Sequence, residues 1–331
     1  MLKYILKRLG WCLVILLGVS LIIYVLVRCM PASFVDQKIA EMNQGGAIID
    51  EELIANMKKM YGLDDESFFG ILKGYFSWLG ALCQFDLGTS FVHRIPVLDV
   101  IVQHMGVSFI IAFVAIIFEY MIAIPLGVTA ATHQYSVRDY VVTILVMLGI
   151  SLPSFFFGQM LKDFFAMKLG WFPPSGLIDA SQNFSGLGRL GDYIAHIFLP
   201  LLTIVILGIG GTMRYVRTNM LEVLNSDYIR TARAKGLKES KVIYKHAFRN
   251  TMIPIVTMFA GILPSLFSGA MLTEQVFDLP GIGNVALTAT LKGDIPFIMG
   301  YNMFLAILSV IGVLLADLMY AVVDPRVKLT A

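Results

Sequence analysis

The stretch Asp227-Tyr-Ile-Arg-Thr-Ala-Arg-Ala-Lys-Gly236, continued by Leu237-Lys-Glu-Ser-Lys-Val-Ile-Tyr-Lys-His246-Ala-Phe-Arg-Asn250, decides the fold through what lies on either side of it. It belongs to a 36-residue polar island, 214–249, that holds nine Lys/Arg and three Asp/Glu. Uncharged runs flank the island: Tyr193–Met213 before it and Asn250–Thr273 after it. A segment this basic cannot sit in hydrocarbon, and between two membrane spans it marks the cytoplasmic face. Its length and helical patterning suggest a docking surface for a partner.

Working outward, the same reading repeats. The chain has 331 residues, 57% hydrophobic and 15% charged, with mean hydropathy +0.78. Soluble domains carry about a quarter charged residues, so this composition points to a bilayer. A span needs about 20 apolar residues. Leu9–Val27, Tyr140–Leu161 and Ile295–Ala316 join the two runs already named, each free of Asp, Glu, Lys and Arg. A sixth run, 101–131, is interrupted only by Glu119. Six transmembrane helices are therefore expected. The expected division is an N-terminal anchor helix (1–29), an extracytoplasmic segment (30–100), and a five-helix core (101–331) containing the polar segment 214–250.

Orientation follows from the basic residues. Lys3, Lys7 and Arg8 precede the first span, which keeps the N-terminus inside and, by alternation, the C-terminus too. The loops expected outside agree: 162–192 balances three basic against three acidic residues, and 274–294 has one against three. The first uncharged run exceeds a signal-peptide core of about 7–15 residues, so a retained anchor is expected. Cys12, Cys29 and Cys83 form no CxxC pair and suggest ordinary thiols rather than a disulfide framework.

Within the island, Ser226 and Asp227 suit a helix start, Lys235 its last turn, and Gly236 the left-handed residue that ends it. From about Lys238 a second helix should place Lys238, Lys241, Lys245 and Arg249 on one face and Val242, Ile243, Ala247 and Phe248 on the other. A loop lying on anionic headgroups would satisfy the charge equally. It would not require the small residues, the glycine or the later Pro254. Pro125, Pro153, Pro200, Pro254 and Pro264 fall inside expected spans, where a missing backbone hydrogen bond kinks a helix and can create a pivot.

This segment resembles the EAA loop of ABC-importer permeases, in the variant of the dipeptide/oligopeptide/nickel group. The likeness rests on Asp227, Tyr228, Arg230, Thr231, Ala232, Arg233, Ala234, Lys235, Gly236, His246, Ala247, Arg249, Asn250 and Pro254. Thr231-Ala232-Arg233 stands where the general pattern has Glu-Ala-Ala. Phe85-Asp-Leu-Gly88, Ile124-Pro-Leu-Gly127, Ser151-Leu-Pro-Ser154, Gly170-Trp-Phe-Pro173, Glu274-Gln-Val-Phe277, Pro280-Gly-Ile-Gly283, Asp317-Leu-Met-Tyr320 and Asp324-Pro-Arg326 extend it over nearly the whole chain. The set looks closest to the B-type oligopeptide permease subunit.

The resemblance implies an all-α, type I importer permease with six spans, sited in the cell's inner membrane. It implies a second and different permease, two ATPase subunits that use ATP and Mg, an extracellular binding protein, membrane lipid, and no nucleic acid. In the family, the segment matching 227–237 docks on the ATPase, with His246, Arg249, Asn250 and Pro254 in support. Glu274, Phe277, Pro280, Gly281 and Gly283 would belong to an outer gate. The chain is then a transport subunit rather than an enzyme, and it has no GxxxxGK[ST] phosphate cradle of its own.

Other readings stay open. A nickel or other small-solute importer would use the same architecture. An ion-coupled secondary transporter would need more intramembrane charge than Glu119. A carboxylate near mid-span should face protein or water, so Glu119 is a candidate for the pathway or for an interior hydrogen bond. Gly186-Leu-Gly188-Arg-Leu-Gly191 matches GxGxxG without a preceding strand, which makes a dinucleotide site improbable. The histidines at 93, 104, 133, 196 and 246 show no metal-ligand spacing.

Overall fold

The computed structural model describes residues 2–29, 67–179, 181 and 185–323. Residues 30–66 of the expected extracytoplasmic segment, and Asp324 with Arg326, lie outside the described residues. In chain order the helices are α1 (Leu2–Arg28), α2 (Phe68–Cys83), α3 (Val97–Thr132), α4 (Val137–Ser151) and α5 (Ser154–Leu161), the last running on as a π-helical segment, Lys162–Lys168. They continue as α6 (Leu187–Leu224), α7 (Asp227–Ala234) and α8 (Glu239–Lys241), which passes through a second π-helical segment, Val242–Phe248, into α9 (Arg249–Ser268). Finally come α10 (Met271–Val276), α11 (Ile282–Lys292) and α12 (Ile295–Val323). Among the described residues, the only β pairing is an isolated bridge between Thr89 and Pro96.

Among the described residues, four unbroken stretches are long and apolar enough to cross a bilayer: Lys7–Val27, Val97–Thr132, Leu187–Leu224 and Ile295–Met319. Two bent pairs qualify together, and counting each as one span gives the six expected. The expected span Tyr140–Leu161, with its expected proline kink, is broken outright, Val137–Ser151 and Ser154–Lys168 being turned by 100°. Pro153 explains this. It pushes Leu152 out of the helical region to φ −91°, ψ 132°, as proline does to its predecessor. The second pair, Glu239–Val256 and Ala260–Val276, bends by 56°. Pro264 cannot bond to the Ala260 carbonyl one turn back, and a Cβ on Gly312 of α12 would strike that same oxygen. Pro125 and Pro200, also expected to kink, lie inside unbroken helices.

The chain divides into two compact units. One comprises the described residues of Met1–Gly106 with Val285–Ile311. Its core gathers Tyr24, Tyr75, Trp78, Phe91, Ile295 and Met299. Tyr24 stacks on Trp78 at 6.1 Å and donates its hydroxyl to the Ile71 carbonyl at 3.2 Å, while Ser20 Oγ lies 2.9 Å from the Tyr75 hydroxyl, so these buried polar tips on α1 and α2 are matched.

The other unit comprises the described residues of Val107–Asn284 with Gly312–Leu329. Here glycines let long helices approach. A Cβ on Gly127 of α3 would stand 2.8 Å from the Val216 side chain of α6. One on Gly149 of α4 would stand 3.4 Å from the Ile206 carbonyl of α6. Close backbone approach through small residues is how helices associate where lipid is as apolar as the side chains.

Candidate functional site

The basic segment folds as a helical hairpin. Gly236 adopts φ +72°, the left-handed turn that a side chain disfavours. Across that turn Arg233 donates to Glu239, Nη2 to Oε1 at 2.7 Å and Nε to Oε1 at 3.2 Å, tying α7 to α8. Both side chains are about half exposed, so this pair fixes geometry more than it adds stability. Ser226 occupies the N-cap position of α7, but its hydroxyl donates to the Val223 carbonyl at 2.6 Å instead of accepting from the new helix. The expected side-chain cap is absent there.

Ile229 and Ala232 are buried, whereas Asp227, Tyr228, Arg230, Thr231, Arg233, Ala234, Lys235 and Gly236 are exposed, with Leu237 partly so. Ala232 is thus a packing residue and not a surface contact. It joins Val216 and Met220 of α6, Val128 and Ala131 of α3, and Val242, Ala247 and Ile255 in one core. Asn250 Nδ2 donates to the Tyr228 hydroxyl at 3.1 Å and to the His246 carbonyl at 3.0 Å, so three of the separately singled-out residues meet. Pro254 offers its carbonyl to the Tyr215 hydroxyl at 3.2 Å.

The second arm departs from the expected α-helix. Val242–Phe248 is π-helical, which aligns residues five apart. Val242 and Ala247 are accordingly both buried, while Lys238, Lys241, Lys245 and Arg249 remain exposed. The two-faced division expected of this arm survives with a wider helical turn. The outcome is a rigid, apolar-backed platform presenting cations, a tyrosine and small side chains.

Glu119 lies on α3 facing α6. Its carboxylate accepts from Thr212 Oγ1, and a Cβ on Gly208 would come within 2.5 Å of its Oε2. Glycine at 208 therefore makes room for the acid, and Thr212 supplies its donor, which is the interior hydrogen-bond alternative in concrete form.

Glu274, on α10, is 2% exposed. Its Oε1 accepts from Ser108 Oγ at 2.6 Å and Ala270 N at 3.1 Å, and its Oε2 accepts from Asn284 N at 2.9 Å. Ser108 Oγ in turn accepts from Ile282 N at 2.9 Å. The walls are glycines: a Cβ on Gly269 would lie 2.7 Å from the carboxylate, on Gly283 2.9 Å, and on Gly281 2.6 Å from Ser108 Oγ. Phe277 is buried as well, and only Pro280 of the expected gate set is exposed. These residues come together as a closed cage that pins the 269–284 loop to α3.

Two further carboxylates were not singled out by pattern. Asp294, fully buried, accepts from Ser90 Oγ at 2.5 Å, Phe91 N at 3.1 Å and Val92 N at 3.1 Å. Asp139, in the first turn of α4, takes both arms of Arg217 from α6, Nε at 2.9 Å and Nη2 at 2.8 Å. Their partners lie 204 and 78 residues away, beyond any local spacing rule. His93 and His104, read as scattered, have ring centroids 6.0 Å apart. The GxGxxG stretch opens α6, with Gly186 at φ +57° and no strand before it among the described residues.

Comparison with known proteins adds relatives. Residues 123–329 match the family described as binding-protein-dependent transport system inner membrane component. The chain is 36% identical over 333 residues to the oligopeptide transport system permease protein AppB of Bacillus subtilis, covering 99% of this chain and all of that one. It is 32% identical to the dipeptide transport system permease protein DppB of Escherichia coli, covering 99% of each. Among solved structures, the methionine ABC transporter MetNI aligns with a TM-score of 0.53 over 68% of this chain and 96% of its own, at 16% identity. That likeness concerns the fold.

Proposed function

Since the chain belongs to the family of binding-protein-dependent transport system inner membrane components, we propose that it is the permease subunit of an ATP-driven oligopeptide importer, in which the 227–250 hairpin docks a separate ATPase. The membrane is entered as a multi-pass helical protein. Its basic hairpin lies on the cytoplasmic side, with both termini, because nine cations concentrate within residues 214–249. The full complex pairs it with a second, different permease, two ATPase subunits and an external binding protein. ATP and Mg belong to the ATPases, so this subunit carries out no chemistry of its own.

The observation that carries the reading is the division of labour inside the hairpin. Ile229, Ala232, Val242 and Ala247 bind it to α6 and α3, while Tyr228, Arg230, Thr231, Ala234 and Lys235 stay exposed on the side open to a partner. A loop resting on lipid headgroups would need only the charge. A force-bearing contact needs rigid backing too, and the hairpin has it. His246, Arg249, Asn250 and Pro254 act as support, the asparagine through its bond to Tyr228.

Full-length relatives whose names specify oligopeptides and dipeptides support peptides as cargo. Reconstituted with its partners in vesicles, the complex should accumulate labelled peptides of several lengths in an ATP-dependent manner. Uptake of nickel in place of every peptide would overturn the cargo, and uptake driven by an ion gradient without ATP would overturn the class.

A further inference from the structure

The α3–α4 corner carries a constraint that the hairpin reading does not use. Tyr135 sits at φ +63°, a conformation rarely held by a bulky residue without a restraint. Its N–H donates to Asp139 Oδ2 at 3.1 Å, and Asp139 N donates to Ser136 Oγ at 3.3 Å. Thr143 Oγ1 donates to Asp139 Oδ1 at 3.4 Å. The Asp139 side chain is 4% exposed, and the remaining reach of its two oxygens is taken by Arg217 of α6.

The position of Arg217 gives this knot its meaning. Val216 and Met220, its neighbours on α6, belong to the core that seats the hairpin. Met213, one turn earlier, packs with Ala123 and Ala130 of α3 and with Val142 and Val146 of α4. Arg217 therefore lies on the stretch of α6 that ends, at Leu224, just before the hairpin begins. A two-pronged guanidinium–carboxylate pair fixes distance and orientation together.

We propose that the Asp139–Arg217 pair is a coupling clamp, which carries displacement of the hairpin-bearing helix α6 into the α3–α4 corner and so into the bent pair 137–168. The inference rests on the hairpin being the ATPase dock. Both residues are positioning residues, acting through the helices they join. Without the clamp, α6 would move while α4 lagged, and ATP hydrolysis would be spent without a matching gate movement.

The test uses the whole complex in vesicles, reading peptide uptake and ATP hydrolysis side by side, for Asp139→Asn, Arg217→Gln, Arg217→Lys and the double Asp139→Asn/Arg217→Gln. The expected result is assembly and hydrolysis retained, with uptake per ATP lowered roughly tenfold in each neutralised single variant. The double variant should be no worse than either single, because both remove one shared interaction. Arg217→Lys keeps the charge but loses the fork, and should fall between. Uptake per ATP within about twofold of the parent in either neutralised single variant would overturn the clamp, as would a multiplicative loss in the double. Loss of assembly in all three single variants would reduce the pair to scaffolding, which also overturns it. A parent complex with no ATP-driven uptake would instead strike the proposed function.

Discussion

Between Asp227 and Arg249 the charged side chains stand in solvent while Ile229, Ala232, Val242 and Ala247 face inward, whereas around Glu274 the carboxylate is walled in and Asp278 and Pro280 stand outside. The two segments are similar in size, and both join helices, yet they treat charge in opposite ways. In the hairpin, Arg230 is 73% exposed and only 3.7 Å from the nearly fully exposed Asp227, a pairing that water can replace at almost no cost. In the cage, three protein donors converge on one buried acid, and none can be withdrawn without leaving an orphan. A surface built of replaceable pairs is available to a partner; a buried and fully satisfied carboxylate is committed to its own fold. By this contrast the cage serves to hold the 269–284 loop in shape.

Breaking the contrast at the cage should have the largest effect. Glu274→Ala leaves the Ser108 hydroxyl and two backbone amides unmatched, at about 3 kcal/mol or more of local stability. Protease digestion of the membrane-inserted protein should show cleavage within 269–284 that the parent resists. Gly281→Ala comes next, because its methyl would press on Ser108 Oγ at 2.6 Å as well as on the Glu274 carboxylate. A cost of about 1–3 kcal/mol is expected, seen as a lower melting temperature in detergent.

At the hairpin the same measurements should barely move. Arg230→Glu and Tyr228→Ala change exposed side chains, so stability should shift by about 0.5 kcal/mol or less. Affinity for the ATPase should nevertheless fall by about 2 kcal/mol, roughly thirtyfold, as read by titration of the purified partner. Ala232→Leu sharpens the distinction: it overfills the core beneath the platform and should lower stability and docking together.

The smallest effect concerns pH near the other buried acid. Burial holds the His93 imidazole below its ordinary 6.5, helped by His104 and Lys292 and opposed by Asp294. The unfolded chain therefore takes up the proton first. Stability of the Ser90–His93 turn is fully present above pH about 6.5 and declines as pH falls below it. The protection factors of the Phe91 and Val92 amides, which donate to Asp294, should be lower at pH 5.5 than at 7.5, and His93→Gln should abolish the difference.

How far the sequence could go differs between these regions for physical reasons. Apolar runs announce spans because the bilayer imposes one length on all of them, and Gly236 announces a turn because few other residues tolerate its φ. The cation spacing at 238, 241, 245 and 249 gave the exposed face, yet the π-helical register beneath it depends on packing against Val216 and Met220, which no local pattern encodes. Glu119 was legible as an anomaly, but its partners Thr212 and Gly208 were not, being far along the chain. Pro153 breaks its span while Pro125 and Pro200 do not, although all three look alike in sequence. The cage of Glu274 resembled a gate by motif, and only coordinates reveal that its glycines crowd around a carboxylate.

Cysteine cross-linking tests the central claim most directly. Starting from a variant with Cys12, Cys29 and Cys83 replaced by serine, one cysteine is placed at Thr231 or Ala234 on the exposed platform, and one at Arg189 at the start of α6 as a control. In the assembled complex, a short thiol-to-amine reagent should join positions 231 and 234, but not 189, to the ATPase subunit, with a yield that changes when ATP is bound. Absence of any adduct at 231 and 234, or labelling of those positions by an impermeant reagent applied outside intact cells, would contradict the account.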